Sequence, residues 1–475
     1  MATLSSARSG STTARSMAHR GTWTARATST LNHQGEVRDP GIDLLPCLTL
    51  SLLIPEMLFR EFSTPITSPS SPAIVTQASE TIKLMARMAT GQDAFTDNAS
   101  VNIVPLPDKT FLAVSESRNS VYRMDSATLK TFKRQAYNDN IPGDLTTAHF
   151  KTLPDGTLVN FTRAFPLGGY HVYKLDPVTL KRTEIAFIPD RNPASPAWVH
   201  DFAVTENHVV IVETPIFVNI ASMTFGIETD YAFSMEWKPQ EGTRVFVVPL
   251  KSPPGVESAP VLSYSAPPFF FFHVANAFEE DGSIHVDLAA YDNPTILNDL
   301  NLSNIMEWPG KDISRSSLRR LSLPLVPPPS SSPSEPIPVG IPRAVLTDES
   351  KAGHFSEFNT VNPVTRGHKH RYVWGLGAQR PTNLGNSLCK IDCKAGEVIL
   401  WHENGSAPLE PSFIPTPMTN GEKADEDDGV IVSIVMSAAG SSYVLFLDAA
   451  SMREVGRANL PFTIPYRFHG AFLKT

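Results

Sequence analysis

A strand–turn unit that recurs along the chain, short alternating strands between its copies and little helical periodicity after residue 100 predict an all-β fold, a β-propeller. The unit reads Val121-Tyr122-Arg123-Met124-Asp125-Ser126-Ala127-Thr128-Leu129 and again Val172-Tyr173-Lys174-Leu175-Asp176-Pro177-Val178-Thr179-Leu180. A looser copy is Val444-Leu445-Phe446-Leu447-Asp448-Ala449-Ala450-Ser451-Met452. Each is a strand ending in Asp, a turn closed by Thr or Ser, and an apolar start to the next strand. The Asp carboxylate and the hydroxyl can hydrogen-bond the turn amides. The first two copies lie about 50 residues apart, the spacing of propeller blades. Thr157 to Thr162, Val245 to Leu250, Ile284 to Ala289 and Val430 to Met436 supply further strands. A pair of packed sheets is the alternative architecture.

Taken in order, the chain divides into three parts. Residues 1–40 are rich in Ser, Thr, Ala and Arg and hold no acidic residue before Glu36, the composition of a plastid transit peptide. Mitochondrial leaders overlap with it. Residues 41–95 are apolar and broken by proline. Within them Leu44 to Phe59 is shorter than the roughly 20 residues that span a bilayer, and suits a membrane interface or a core. A Thr/Pro/Ser linker follows from Thr64 to Pro72, and Gln77 to Met88 predicts a short helix. Residues 96–475 form the predicted propeller domain, with Pro324 to Pro342 as a Pro/Ser-rich surface insertion. The net charge of −8 gives no reason to expect nucleic acid as a partner. Three cysteines exclude a disulfide framework and fit a reducing compartment. Cys389-Lys390-Ile391-Asp392-Cys393 lacks a second ligand pair and reads as a strand rather than a zinc site.

Four histidines stand where apolar segments turn: His149, His200, His273 and His469. A lone histidine in such a place would usually be a core residue bonded to a carbonyl. Four of them, scattered over the chain, make a ligand set only in a fold that converges distant elements on an axis, as a propeller does. Neutral imidazole suits iron, copper, zinc and nickel alike. An all-histidine set leaves the charge of the ion uncompensated, so carboxylates should hold the imidazoles from behind. Glu116, Glu357 and Glu410 stand in strand or turn contexts where they could do so. The other histidines carry less signal. His171, His208, His285 and His402 are expected to face solvent, and His368 and His370 to belong to a solvated basic turn.

Trp198-Val199-His200-Asp201-Phe202, Phe272-His273-Val274-Ala275-Asn276-Ala277-Phe278-Glu279-Glu280, Pro465-Tyr466-Arg467-Phe468-His469-Gly470, Ala148-His149 and Glu426-Asp427-Asp428-Gly429-Val430 together resemble the carotenoid cleavage dioxygenase family. The resemblance runs from about Asp97 to the C-terminus. It implies a seven-bladed propeller with Fe(2+) on its axis, held by His149, His200, His273 and His469. It further implies that Glu116 orients His200, Glu357 orients His273 and Glu410 orients His469. The activity implied is cleavage of a conjugated C=C bond of a carotenoid or apocarotenoid by O2, with open iron positions for oxygen. The run Phe269 to Phe272 suits either a polyene tunnel or buried core.

Gly377-Ala378-Gln379-Arg380-Pro381-Thr382-Asn383, Asn386-Ser387-Leu388-Cys389-Lys390-Ile391-Asp392 and Asn293-Pro294-Thr295-Ile296-Leu297 look closest to the plant and algal branch that makes carlactone, the strigolactone precursor. The leader composition points to the plastid stroma, and the apolar segment Leu44 to Phe59 to peripheral membrane contact. The alternatives are a relative with another cleavage position, an isomerase, and a catalytically inactive carotenoid-binding propeller. The sequence also departs from the family. Its acid- and glycine-rich first-blade motif is not found, Phe150 stands where proline is usual, and Arg467 replaces a glycine. The first blade is therefore expected to be missing, leaving a truncated or incomplete propeller of low stability.

Overall fold

The protein was analysed as a computed structural model. It describes residues 99–472 apart from 117–120, 136, 138, 144, 165–167, 220–221, 223–233, 252–259, 302–303, 306–311, 327–334, 418–423 and 467, and before residue 99 only the paired dipeptides Thr30–Leu31 and Val37–Arg38. The expectations placed on residues 1–95, and the substitution at Arg467, lie outside the described residues.

The turn unit organises the blades as read. Asp125 Oδ1 accepts from the Thr128 amide at 2.7 Å, Asp176 Oδ1 from Thr179 at 2.7 Å and Asp448 Oδ1 from Ser451 at 2.8 Å. The residue after the hydroxyl then takes a left-handed conformation in every copy: Leu129 at φ 57°, Leu180 at 55° and Met452 at 57°. That conformation costs an L-residue roughly 1–2 kcal/mol. It is offset by burial, since Leu180 and Met452 enter the core and Leu129 packs against it. A fourth copy, Asp392-Cys393-Lys394-Ala395-Gly396, places glycine at the same position, where a Cβ would meet Thr347 Cγ2 at 2.7 Å.

Six antiparallel blades follow. Blade I comprises Asn102–Pro105, Thr110–Val114, Val121–Asp125 and Thr131–Arg134. Blade II has a split inner strand, Leu145–Thr146 and Lys151–Thr152, backed by Leu158–Arg163, Gly169–Leu175 and Arg182–Pro189. Blade III is Ala203–Val204, His208–Glu213, Thr243–Pro249 and Leu262–Ala266. Blade IV is Phe270–Glu280, Ser283–Tyr291, Ser317–Pro324 and Arg343–Ala344. Blade V is Glu357–Thr360, Tyr372–Gly377, Ser387–Asp392 and Glu397–His402. Blade VI again splits its inner strand, into Ala407–Pro408 and Ser412–Pro415, ahead of Gly429–Met436, Ser442–Asp448 and Glu454–Asn459. The proline-rich segment after Pro324 is not all surface insertion. Ile337–Pro338 adds a parallel strand to blade III, and Ile337 is buried there.

The described residues form six blades, not the seven that the resemblance implies, which is the number left when the first blade is missing. The packing between blades shows where the ring differs. Apolar clusters fill the junctions I–II, with Leu112 and Leu175; II–III, with Phe161 and Ile211; III–IV, with Val247 and Leu288; IV–V, with Leu318 and Val373; and V–VI, with Leu388 and Leu445. From blade VI to blade I the pattern changes. The outer face of blade VI, with Ile434 and Val444, is covered by its own tail through Leu460, Phe462, Ile464 and Tyr466. The opposing face of blade I, with Ile103, Phe111 and Ala113, is covered by Ala99 and Ala471. The C-terminal segment thus lies in a seam where the other junctions have blade against blade. Among the described residues no helix is long and apolar enough to cross a membrane.

Polar side chains reach between neighbouring blades near the axis. Asn102 Nδ2 donates to the Ala148 carbonyl at 3.1 Å, linking I to II. The Thr147 hydroxyl donates to the His200 carbonyl, linking II to III. Asp201 Oδ2 accepts from the Val274 amide at 2.8 Å, linking III to IV. Asn276 Nδ2 donates to the Thr365 carbonyl at 3.0 Å and Asn362 Nδ2 to the Glu426 carbonyl at 2.8 Å, linking IV to V and V to VI. The acidic turn read as a family hallmark completes this last link. The Glu426 carboxylate accepts from the Arg371 and Tyr372 amides, and Asp427 pairs with Lys390.

Candidate metal centre

In an unbroken inner strand the side chains alternate between the two neighbouring blades, so few point down the axis. The site residues stand where that alternation fails. His149 occupies the break between Leu145–Thr146 and Lys151–Thr152, and Glu410 the break between Ala407–Pro408 and Ser412–Pro415. His273 lies at a register shift between Phe271 and Val274. Glu357 begins another shift, followed by Phe358 at φ 51°. His200 sits just ahead of Ala203–Val204, and His469 is on the C-terminal segment. Such irregularities re-aim side chains and recur beside active sites.

The four histidines meet. One ring nitrogen of each lies within 4.8 Å of the others, and His149 Nε2 is 3.1 Å from His200 Nε2. Three imidazoles are held from behind through Nδ1: His200 by Glu116, His273 by Glu357 at 2.7 Å and His469 by Glu410 at 3.0 Å. A carboxylate accepts, so each of these Nδ1 atoms carries the proton and each Nε2 presents a lone pair to the centre. His273 Nε2 is buried without a hydrogen-bond partner. Glu357 is itself fastened by the Tyr291 hydroxyl at 2.7 Å, and Glu410 accepts also from the Gly470 amide at 2.9 Å.

Electrostatics favour the neutral imidazole at His149 and His273. Burial, reinforced by the other rings, holds His149 and His273 well below the ordinary histidine range. Burial also acts to lower His200, but Glu116 outweighs it and the net shift is upward. Burial pushes Glu357 up to about 8, against the Tyr291 hydrogen bond. Four converging imidazole nitrogens, one an orphaned buried acceptor, fit a borderline divalent cation.

Aromatic rings wall one side. Trp198 stacks on Phe270 at 6.4 Å between centroids and meets Phe272 edge-on at 6.1 Å, and Phe272 lies 5.6 Å from His200. Phe358 lies 4.9 Å from His273. The phenylalanine run is buried throughout: Phe269 and Phe271 fill the III–IV core, while Phe270 and Phe272 join the cluster at the V–VI junction, with Phe272 beside His200. Along the axis a cavity of about 610 Å³ is lined by His149, His273 and His469 and by polar groups including Lys151, Asp201 and Asn276. Phe150 lines it too and packs against the I–II core.

A second donor cluster, Asp287, His370 and Cys393, corrects the reading of His370 as solvated. Its side chain is fully buried, 3.0 Å from Asp287 Oδ2. This cluster is not a metal site in kind. Asn276 is oriented by the Gly367 amide on Oδ1 and by the Thr365 and His368 carbonyls on Nδ2, so Nδ2 faces His370 Nδ1 as a donor. Asp287 is engaged by Arg320 through two bonds of 2.7 Å. The group is a structural polar network between blades IV and V. Of the other histidines, His171, His208, His285 and His402 are half-buried strand residues, each bonded to a neighbour such as Glu184 or Glu279.

The retinal pigment epithelial membrane protein family model, that of the carotenoid oxygenases, matches residues 15–474. The chain belongs to this family. Among its relatives are the chloroplastic carotenoid cleavage dioxygenase 8 homolog A of Oryza sativa, 33% identical over 80% of this chain and 66% of that one, and carotenoid cleavage dioxygenase 8 of Arabidopsis thaliana, 30% identical over 88% and 71%. The human mitochondrial carotenoid-cleaving dioxygenase is 29% identical over 80% and 70%. The chain thus spans about two thirds of the length of the rice relative. Among solved structures, lignostilbene dioxygenase of Pseudomonas brassicacearum superposes with a TM-score of 0.63 at 23% identity, covering 82% of this chain and 81% of that one. A mutant of the Synechocystis apocarotenoid oxygenase gives 0.62 at 21%, covering 79% and 74%. Both share the propeller fold.

Proposed function

We propose that this chain is an iron(II)-dependent dioxygenase that cleaves a C=C bond of a carotenoid or apocarotenoid with O2. The observation that carries the reading is the constellation itself: four imidazoles converging through Nε2, three backed by glutamates of which Glu116 and Glu357 are buried, in a member of the carotenoid oxygenase family. His149, His200, His273 and His469 would hold the metal, and Glu116, Glu357 and Glu410 would fix three of the tautomers and offset its charge. Bound iron supplies the activation of dioxygen. The protein's own contribution is to keep the Nε2 lone pairs aimed at one point and to offer a polyene the rings of Trp198, Phe272 and Phe358 as an apolar wall.

Within this reading the substrate is an apocarotenoid and the product of the carlactone type, supported by the two plant carotenoid cleavage dioxygenase 8 relatives. The same relatives support a plastid location, and the absence of acidic residues before Glu36 agrees. The test is incubation of iron-loaded protein with a panel of carotenoids and apocarotenals under labelled oxygen, read by product mass. Labelled carbonyl fragments are expected. An isomerised product without label, or bound substrate returned intact, would replace this reading with an isomerase or an inactive binder.

A further inference from the structure

We propose that Asp201 is a positioning residue that clamps three of the four ligand segments into one frame. The inference deepens the metal reading above and rests on it. Asp201 follows His200 directly, and its carboxylate is buried. Oδ1 accepts from the Phe202 amide at 2.7 Å and pairs with Lys151 Nζ at 2.6 Å, two residues after His149. Oδ2 accepts from the Val274 amide at 2.8 Å, the residue after His273. One carboxylate therefore joins the strands that carry His149, His200 and His273. The Thr147 hydroxyl adds a parallel tie, donating to the His200 carbonyl and accepting from the His149 amide at 3.1 Å.

This differs in kind from what Glu116, Glu357 and Glu410 do. Each of those acts on one imidazole through its Nδ1. Asp201 touches no imidazole; it sets the spacing of the backbones from which three imidazoles project. Both of its oxygens face donors, so an amide in its place must turn an NH2 group toward one of them and leave a buried donor unpaired. Loss of a group that orients metal ligands typically lowers metal affinity about 10- to 100-fold, and a group acting through the backbone is expected toward the lower end.

The test uses the full chain loaded with cobalt(II), whose visible absorption reports ligand geometry. In Asp201→Asn the bands should shift, and cobalt should pass to a chelator about ten-fold faster than from the unchanged protein. Lys151→Met removes one side of the clamp at a partly exposed residue, and should move the bands and the rate the same way by a few-fold. A role in stability alone would lower the melting temperature of Asp201→Asn while leaving bands and rate as they were, and that result overturns the proposal. If Asp201→Asn does not fold, Lys151→Met decides, and an unchanged spectrum and rate there overturns it equally. A parent protein that takes up no cobalt would instead remove the metal reading on which the clamp depends.

Discussion

The ring side of the metal site and the seam side hold their histidines differently. Blades II, III and IV carry His149, His200 and His273 on segments tied to one another by Thr147 and Asp201, with apolar core behind every junction. His469 comes from the tail that lies between blades VI and I, and is held through Glu410 on its own blade. Three ligands are thus cross-linked to each other, and the fourth is moored to a single carboxylate. An identical imidazole can thus be anchored by a network or through a single carboxylate, and the site should open first at the single carboxylate.

Removing a ligand gives the largest effect and sets the scale. His200→Ala and His273→Ala should each reduce product formation to background and lower iron content, measured by turnover and metal analysis. Appreciable turnover in either variant would take that residue out of the site.

The carboxylates come next and separate the two sides. Glu410→Ala and Glu116→Ala both remove an Nδ1 partner, so each should weaken metal retention by roughly 10- to 100-fold. The Glu410 variant should lie at the upper end, because His200 keeps the ties of Thr147 and Asp201 to its backbone. Chelator extraction rates compare them, and a larger loss from Glu116→Ala would reverse the assignment of strong and weak sides.

Packing distinguishes the sides by smaller amounts. Leu445 is fully buried between blades V and VI, and Leu445→Ala should cost about 3 kcal/mol in chemical denaturation. Ile464 is buried where the tail covers blade VI, and Ile464→Ala should cost about 2 kcal/mol while also loosening metal. The seam variant alone should combine a modest stability loss with faster metal release. Equal metal release from both variants would remove the link between the seam and His469.

The left-handed turn residues pair the smallest effect with a larger control. Leu129→Gly relieves a strained backbone and gives up the packing of a partly buried side chain, so its melting temperature should move little. Leu180→Gly gives up a buried side chain in the I–II core and should melt distinctly lower. Equal shifts would mean that burial does not offset the turn strain.

Much of this was legible in the residues because the signals are local. The Asp-turn repeat gave the blade texture, and the motifs around His149, His200, His273 and His469 gave the set the fold brings together. Glu116, Glu357 and Glu410 followed from resemblance, since a lone glutamate in a strand carries little signal of its own. The copy at Asp392 to Gly396 escaped notice because glycine replaces the bulky residue and no hydroxyl closes the turn. His370 was misread because its neighbours are basic and exposed, while Asp287 and Asn276 approach from another blade. The role of Asp201 was hidden for the same reason: its partners Lys151 and Val274 are distant in sequence and adjacent only once the blades close. Six blades rather than seven followed from the absent first-blade motif, whereas the tail that covers the seam has no strand alternation to read.

Amide hydrogen exchange in the metal-loaded protein compares the two sides most directly. Val274 N–H is bonded to Asp201 and Gly470 N–H to Glu410, so peptides covering 270–276 and 465–472 report on the ring and the seam. Exchange through local opening follows the stability of each unit. The account predicts that the Gly470 peptide exchanges first, and that removing the metal widens the difference. Equal protection of both peptides, or earlier exchange at Val274, would contradict it.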